Sequence, residues 1–220
     1  MSDSIRLGKG RIRTRYTRGV TDPPRPSRRA EQVEATRLAL VAAARTRFGR
    51  DGFAATSVDD VAADAGVTIG ALYHHFGTKA GLFETVFEQV QVELLEGAMT
   101  AAAAVGPSPL AMLRKAFSAF LDAVLQPDVQ QIVLVDGPAV LGLARYTEID
   151  ERYSYAGVRD TLQAAADASE ITAFDIDTMA HVLLGACTQG GLLIARSPHQ
   201  RKARRAVGRT IDELLDGLAR

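Results

Sequence analysis

The stretch Ser57-Val-Asp-Asp-Val-Ala-Ala-Asp-Ala-Gly-Val-Thr-Ile-Gly-Ala-Leu-Tyr-His74 decides how this chain is read. Ser57 is a natural N-cap, and Asp60 in the following turn sets a carboxylate against the positive end of a helix dipole. A short helix from Val58 to about Asp64 is expected, broken by Ala65-Gly66-Val67. Thr68 then caps a second short helix running to about His75. Ala62 lies midway along the first helix, where a small side chain lets a second helix cross closely. Gly66 falls where a three-residue turn demands unusual backbone angles. Val67 and Leu72 face inward and plug the gap between the two helices. This spacing is that of a helix-turn-helix, although a plain helical hairpin can show it too.

The outward residues separate the two readings. Thr68, Ile69, Gly70, Tyr73 and His74 are left at and just after a helix N-terminus, with no acidic side chain among them. That end offers unpaired backbone N–H groups and positive dipole, which suits phosphate. Gly70 lets the backbone approach a duplex, Tyr73 and His74 can hydrogen-bond phosphates, and Lys79 begins the next helix as a further contact.

Outward from this stretch the chain reads as all-α. Upstream, Leu38, Val41, Ala42, Arg45 and Phe48 recur at helical steps, and Asp51-Gly52 stops that helix. Downstream, Thr78 caps a long helix through Leu82, Val86, Val90 and Leu94 towards Ala104, ended by Pro107 and Pro109. A further helix spans Leu110–Leu125. Residues 128–168 are expected helical, with interruptions at Gly137-Pro138 and Gly142, and Ile132–Val135 is the one place where a strand is an open alternative. The last two helices are about 176–195 and 200–218. Three units follow: a basic, flexible arm at 1–30, a three-helix DNA-binding domain at 31–78, and a helical ligand-binding and dimerisation domain at 79–220.

Composition agrees with a globular protein, with 47% hydrophobic and 24% charged residues. Uninterrupted apolar runs such as Val182–Cys187 fall short of the ~20 residues that span a bilayer. Residues 1–30 are polar rather than apolar, so no secretion signal is expected, and a cytoplasmic location follows. The single Cys187 reads as a small core hydrophobe. A net charge of zero hides an asymmetry. Residues 1–30 carry nine basic against two acidic side chains, a net +7, and the remainder carries −7. Residues 31–80 hold five basic and six acidic groups, so counterion release on a polyanion would lean on the arm. His74, His75, His181, His199 and Cys187 show no metal-ligand spacing, and no glycine-rich phosphate loop occurs. No catalytic set, metal or cofactor is expected, and an enzyme remains the weaker alternative.

From Phe48 through Phe83 the sequence resembles the N-terminal domain of the TetR family, and Gly70-Ala-Leu-Tyr-His-His-Phe-Gly-Thr-Lys79 carries the resemblance most specifically. The resemblance implies an all-helical, homodimeric regulator, usually a repressor, with a small-molecule pocket in its C-terminal domain. It also implies that Thr56, Ser57, Thr68, Ile69, Gly70, Tyr73, His74 and Lys79 face double-stranded operator DNA. Ile69 departs from the polar residue many members carry there, and suits a thymine methyl group rather than hydrogen-bonded readout. The helices at 176–195 and 200–218 would form the dimer interface, with Val207, Ile211, Leu214, Leu215 and Leu218 as its stripe. Arg201, Lys202, Arg204 and Arg205 lie opposite as a solvated run. Phe87, Met112, Phe117, Phe120, Arg145, Tyr153 and Met179 are candidates for lining a pocket that takes a small hydrophobic or amphipathic effector. The alternative is a constitutive helix-turn-helix adaptor with no effector.

Overall fold

The computed structural model describes residues 27–172 and 174–219. Most of the basic segment at 1–30 therefore lies outside the described residues, and Arg28 already begins the first helix, α1 (Arg28–Ala55), capped by Ser27. Gly52 interrupts α1 with φ 78° and ψ 165°, as the Asp51-Gly52 pair predicts. The buried face of α1 is Leu40, Val41, Ala44 and Phe48. Leu38, expected on that face, is 55% exposed, because it sits one residue position off the row that meets the neighbouring helices.

Two short helices follow, α2 (Val58–Asp64) and α3 (Ile69–Phe76), then the long α4 (Lys79–Ala103). The body contains α5 (Pro109–Ala123), the single turn α6 (Pro127–Val129), α7 (Gly137–Asp150), α8 (Ala156–Asp167), α9 (Ile176–Ala195) and α10 (Gln200–Asp216). Between these lie two π-helical segments, Gln130–Asp136 and Glu151–Tyr155. The first resolves the Ile132–Val135 ambiguity as helix. Gly137 keeps helical angles there, so Pro138 merely opens α7, whereas Gly142 does interrupt it at φ 75°. Among the described residues the only bridge outside helices joins Ile171 to Ala219.

One aromatic chain links the two halves. Phe48 and Phe53 of α1 pack edge-on against Phe83 of α4 at 5.3 and 5.4 Å, Phe83 meets Phe87 at 6.5 Å, and Phe87 meets Tyr146 of α7 at 5.6 Å. Leu82, Phe83, Val86 and Phe87 are fully buried. The first half of α4 thus belongs to both cores, and a shift of α4 must be felt by the helices ahead of it. Polar ties reinforce the joint. Arg45 pairs with Glu93 of α4 and, at 3.1 Å, with Asp128. The Phe53 backbone N–H donates to the Asp136 carboxylate at 2.7 Å. Gly49 is required here, since a Cβ would lie 2.6 Å from that of Asp128.

By length and composition α9 could cross a membrane, with mean hydropathy 1.4 over its most apolar 18 residues. Uninterrupted runs understate this, because Thr188 and Gln189 break a run without lowering the average much. A third of that window is buried within the protomer. Within the single chain, Thr178, Val182, Gly185, Gln189 and Leu193 form an exposed stripe along α9.

Candidate nucleic-acid interface

Three capping side chains build the site. Ser57 Oγ accepts the Asp60 N–H at 3.0 Å, Thr68 Oγ1 accepts that of Ala71 at 3.2 Å, and Thr78 Oγ1 accepts that of Gly81 at 2.9 Å. Each satisfies one orphan donor and fixes where its helix begins. Gly66 at φ 68° makes the turn between α2 and α3, and Gly77 at φ 71° that between α3 and α4. Neither has an atom within 4 Å of a notional Cβ, so both are demanded by backbone angle rather than by space. Arg47 of α1 holds α2 in place, pairing with Asp64 at 2.6 Å and Asp60 at 3.3 Å.

The helix α3 is pinned by one face only. Leu72 is fully buried, a burial of the size that stabilises by roughly 1.5–3 kcal/mol. Val67 packs against the same cluster. On the other face Ile69 is 39% and Tyr73 47% exposed, and Thr68, Gly70 and His74 are exposed with them. A Cβ at Gly70 would meet only Thr68 Oγ1, at 3.8 Å, so the fold itself does not require glycine there. Lys79 is half-buried with Nζ 4.3 Å from the Phe53 ring centroid, and burial lowers its pKa. Its ammonium keeps donors for an anion while its stem is held.

Of the eight sequence-identified positions, six are exposed and Lys79 is half-buried. Thr56 is the exception: it is 4% exposed and its hydroxyl donates to the Gly52 carbonyl at 2.8 Å. Its hydroxyl closes the end of α1 and is withdrawn from solvent. No local sequence signal marks Gly81, yet a Cβ there would sit 2.4 Å from the Phe76 carbonyl oxygen. Only the tightness of the α3–α4 junction reveals it.

Behind this surface lies a cavity of about 500 Å3 between α4, α5, α8, α9 and the second π segment. Met112, Phe117, Phe120 and Tyr153 line it, as does Cys187, whose thiol burial pushes up to about 12. The other three candidates are elsewhere. Phe87 is fully buried in the aromatic chain. Met179 packs on the core outside the cavity. Arg145 braces α7 to α4 through Glu84 at 2.5 Å and reaches Glu148 at 2.7 Å, carboxylates that raise its pKa further. Gln91 and Asp150, which apolar periodicity could not pick out, do line the cavity and are hydrogen-bonded at 3.2 Å.

On α10 the expected interface stripe divides. Ile211 and Leu215 are buried in the protomer's own core, and Val207 abuts Gly190 of α9, where a Cβ would lie 2.6 Å away. Leu214 alone of the five is a large exposed apolar residue, and Ala206 and Thr210 lie along its exposed row. Within the basic run, Arg204 is not free but bonds Asp122 at 2.7 Å and Ser118 Oγ at 2.7 Å.

A capped three-helix module with one apolar-anchored, outward-facing helix, set on an all-helical body, defines a helix-turn-helix DNA-binding protein. Residues 40–86 match the family model described as bacterial regulatory proteins, tetR family, and residues 110–218 match the tetracyclin repressor-like C-terminal domain. The crystal structure of a TetR-family transcriptional regulator from Pectobacterium atrosepticum is similar, with 30% identity and a TM-score of 0.77, covering 88% of this chain and 98% of that one. The transposon Tn10 TetC protein of Escherichia coli is 25% identical over 70% of this chain and 78% of that protein. The transcriptional repressor BepR of Brucella suis is 30% identical over 59% of this chain and 56% of its own length. This chain belongs to the TetR family of DNA-binding transcriptional regulators.

Proposed function

We propose that the protein is a repressor that binds a palindromic operator as a homodimer and is released by a small-molecule effector. The observation that carries the DNA half is the exposure of Ile69 and Tyr73 on a helix anchored to the core through Leu72 and Phe76. Large side chains left in water on a rigid, N-capped helix suit a major groove, with Ile69 on a thymine methyl and Ser57, Thr68, Tyr73, His74 and Lys79 on phosphates. Gly70 leaves the backbone free to approach.

One such helix makes too few contacts for specific binding, and a two-fold dimer presents a pair roughly 34–36 Å apart. The exposed stripe of α9 beside Leu214 of α10 is the face that a second copy would cover. The cavity supports the effector half of the reading and favours it over a constitutive adaptor, whose interior needs no such space. Its wall includes α4 from Gln91 to Ala103, and the same helix begins at the Thr78 cap behind α3. A ligand that binds better when α4 is displaced would shift the spacing of the two reading helices by its differential affinity alone. A role on the chromosome places the protein in the cytoplasm, and family membership argues for a regulator rather than an enzyme.

Selection of duplexes from a random pool by the purified protein tests this. An inverted repeat is the expected outcome, and retention of duplexes without any shared sequence would overturn the proposal.

A further inference from the structure

The cavity wall is apolar over most of its extent, through side chains such as Leu94, Phe117, Phe120 and Leu184. Its ionisable groups are unbalanced. Asp150 and Asp160 both line it, and no lysine, arginine or histidine does. Asp160 sits at the exposed rim and is already paired with Arg159 at 3.0 Å. Asp150, at the end of α7, is half-buried, and among the described residues its one side-chain hydrogen bond comes from the neutral Gln91 amide at 3.2 Å. Gln91 is itself 3% exposed, so this donor is held in place on α4.

A carboxylate withdrawn from water needs an opposite charge or several donors to recover its hydration. One neutral amide is too little. Burial accordingly raises the Asp150 carboxyl above its ordinary range, the Gln91 bond opposes that only in part, and Glu151 adds to it. The nearby arginines are spent elsewhere: Arg145 on Glu84 and Glu148, and Arg152 on Glu88 and Glu148.

Taking the cavity as the effector site proposed above, we infer that its ligand is a lipophilic cation, an amine with an apolar body, whose charged head seats on Asp150 beside Gln91. An anionic ligand would bring a second negative charge to an uncompensated carboxylate in a poorly solvated space, where like charges repel most strongly. A neutral ligand fills the apolar wall and leaves Asp150 as it was.

The test uses three probes with one apolar body: N,N-dimethyl-1-naphthylmethylamine, 1-naphthylmethanol and 1-naphthoate. Each is titrated calorimetrically into the full chain, the Asp150→Asn variant and the rim control Asp160→Asn. The amine is expected to bind about tenfold or more tightly than the alcohol, the difference a charged hydrogen bond supplies. The carboxylate should be the weakest of the three. D150N should remove the amine's advantage while leaving alcohol binding unchanged, and D160N should change neither. Alcohol binding also reports that D150N keeps its cavity. If amine and alcohol bind equally, or D150N leaves the preference intact, the charge inference is overturned and the cavity reading stands. If none of the three binds, the cavity reading is overturned as well. If the amine binds through Asp150 yet fails to release operator DNA, the effector role is what is lost.

Discussion

Gly81 and Gly97 lie in the same helix, and alanine at each should move stability in opposite directions. Alanine is favoured over glycine in a helix interior by about 0.8–1 kcal/mol. Gly97 is exposed, with nothing within 4 Å of a notional Cβ, so Gly97→Ala should keep that whole gain. At Gly81 the new Cβ would meet the Phe76 carbonyl oxygen at 2.4 Å. Carbon–oxygen contacts relax to about 3.3 Å or more, so the end of α3 must move by roughly 1 Å. That carbonyl is backbone and already accepts the Thr78 N–H at 2.7 Å, so it cannot swing aside as a side chain would. Overpacking of this kind costs about 1–3 kcal/mol, more than the propensity gain. The expected net is a loss of up to about 2 kcal/mol for Gly81→Ala. Urea unfolding followed by circular dichroism at one fixed protomer concentration reads both values, the fixed concentration mattering if the fold is dimeric. Because the strain falls where α3 meets α4, operator affinity should drop for G81A and hold for G97A. If G81A is stabilised as much as G97A, the argument for a tight α3–α4 joint is wrong.

Three more outcomes follow from the same geometry. Tyr73→Phe removes one exposed hydroxyl and should weaken operator binding by up to about tenfold with no change in the urea midpoint; a shifted midpoint would make Tyr73 a structural residue. Leu193→Glu and Leu214→Glu place charge on the exposed faces of α9 and α10 and should yield folded monomers by light scattering, whereas an undisturbed dimer would move the interface elsewhere. Asp150 has a raised carboxyl pKa in the fold, so the folded chain holds a proton that the unfolded chain has released once pH exceeds the ordinary value of 3.8. Stability contributed by this group is therefore lost as pH rises through its folded pKa. Asp150→Asn should be more stable than the natural chain at pH 7, with the gap closing towards pH 4; a gap that stays constant in paired melts would refute the linkage.

Most of the DNA-reading module was legible because its signals are local. Ser57, Thr68 and Thr78 announce helix starts by side-chain chemistry, and Gly66 and Gly77 announce turns by backbone angle. Leu72 follows from spacing alone. What stayed hidden depends on contacts distant in sequence. Thr56 is polar and adjacent to a cap, yet it folds back on Gly52. Leu38 looks apolar-periodic, but which row of α1 is covered depends on where α4 and the first π segment cross it. The same reason divides the α10 stripe, since Gly190 draws Val207 against α9 and leaves Leu214 outside. The cavity was half legible. Periodicity finds apolar residues, and four of the seven candidates line it, but periodicity cannot separate wall from filled core, as Phe87 and Met179 show. Asp150 carries no sequence signal at all, because a charged residue between Ile149 and Glu151 reads as surface until the fold sets it beside Gln91.

The claim on which the rest depends is that α3 acts in pairs held one duplex turn apart. Affinity for a selected inverted repeat, measured before and after inserting half a helical turn between its halves, tests this directly. Insertion puts the second half-site on the opposite side of the duplex, and binding should fall to the non-specific level, on the order of a thousandfold weaker. Affinity that survives the insertion would mean that each helix-turn-helix reads DNA alone, and the paired-helix account would be contradicted.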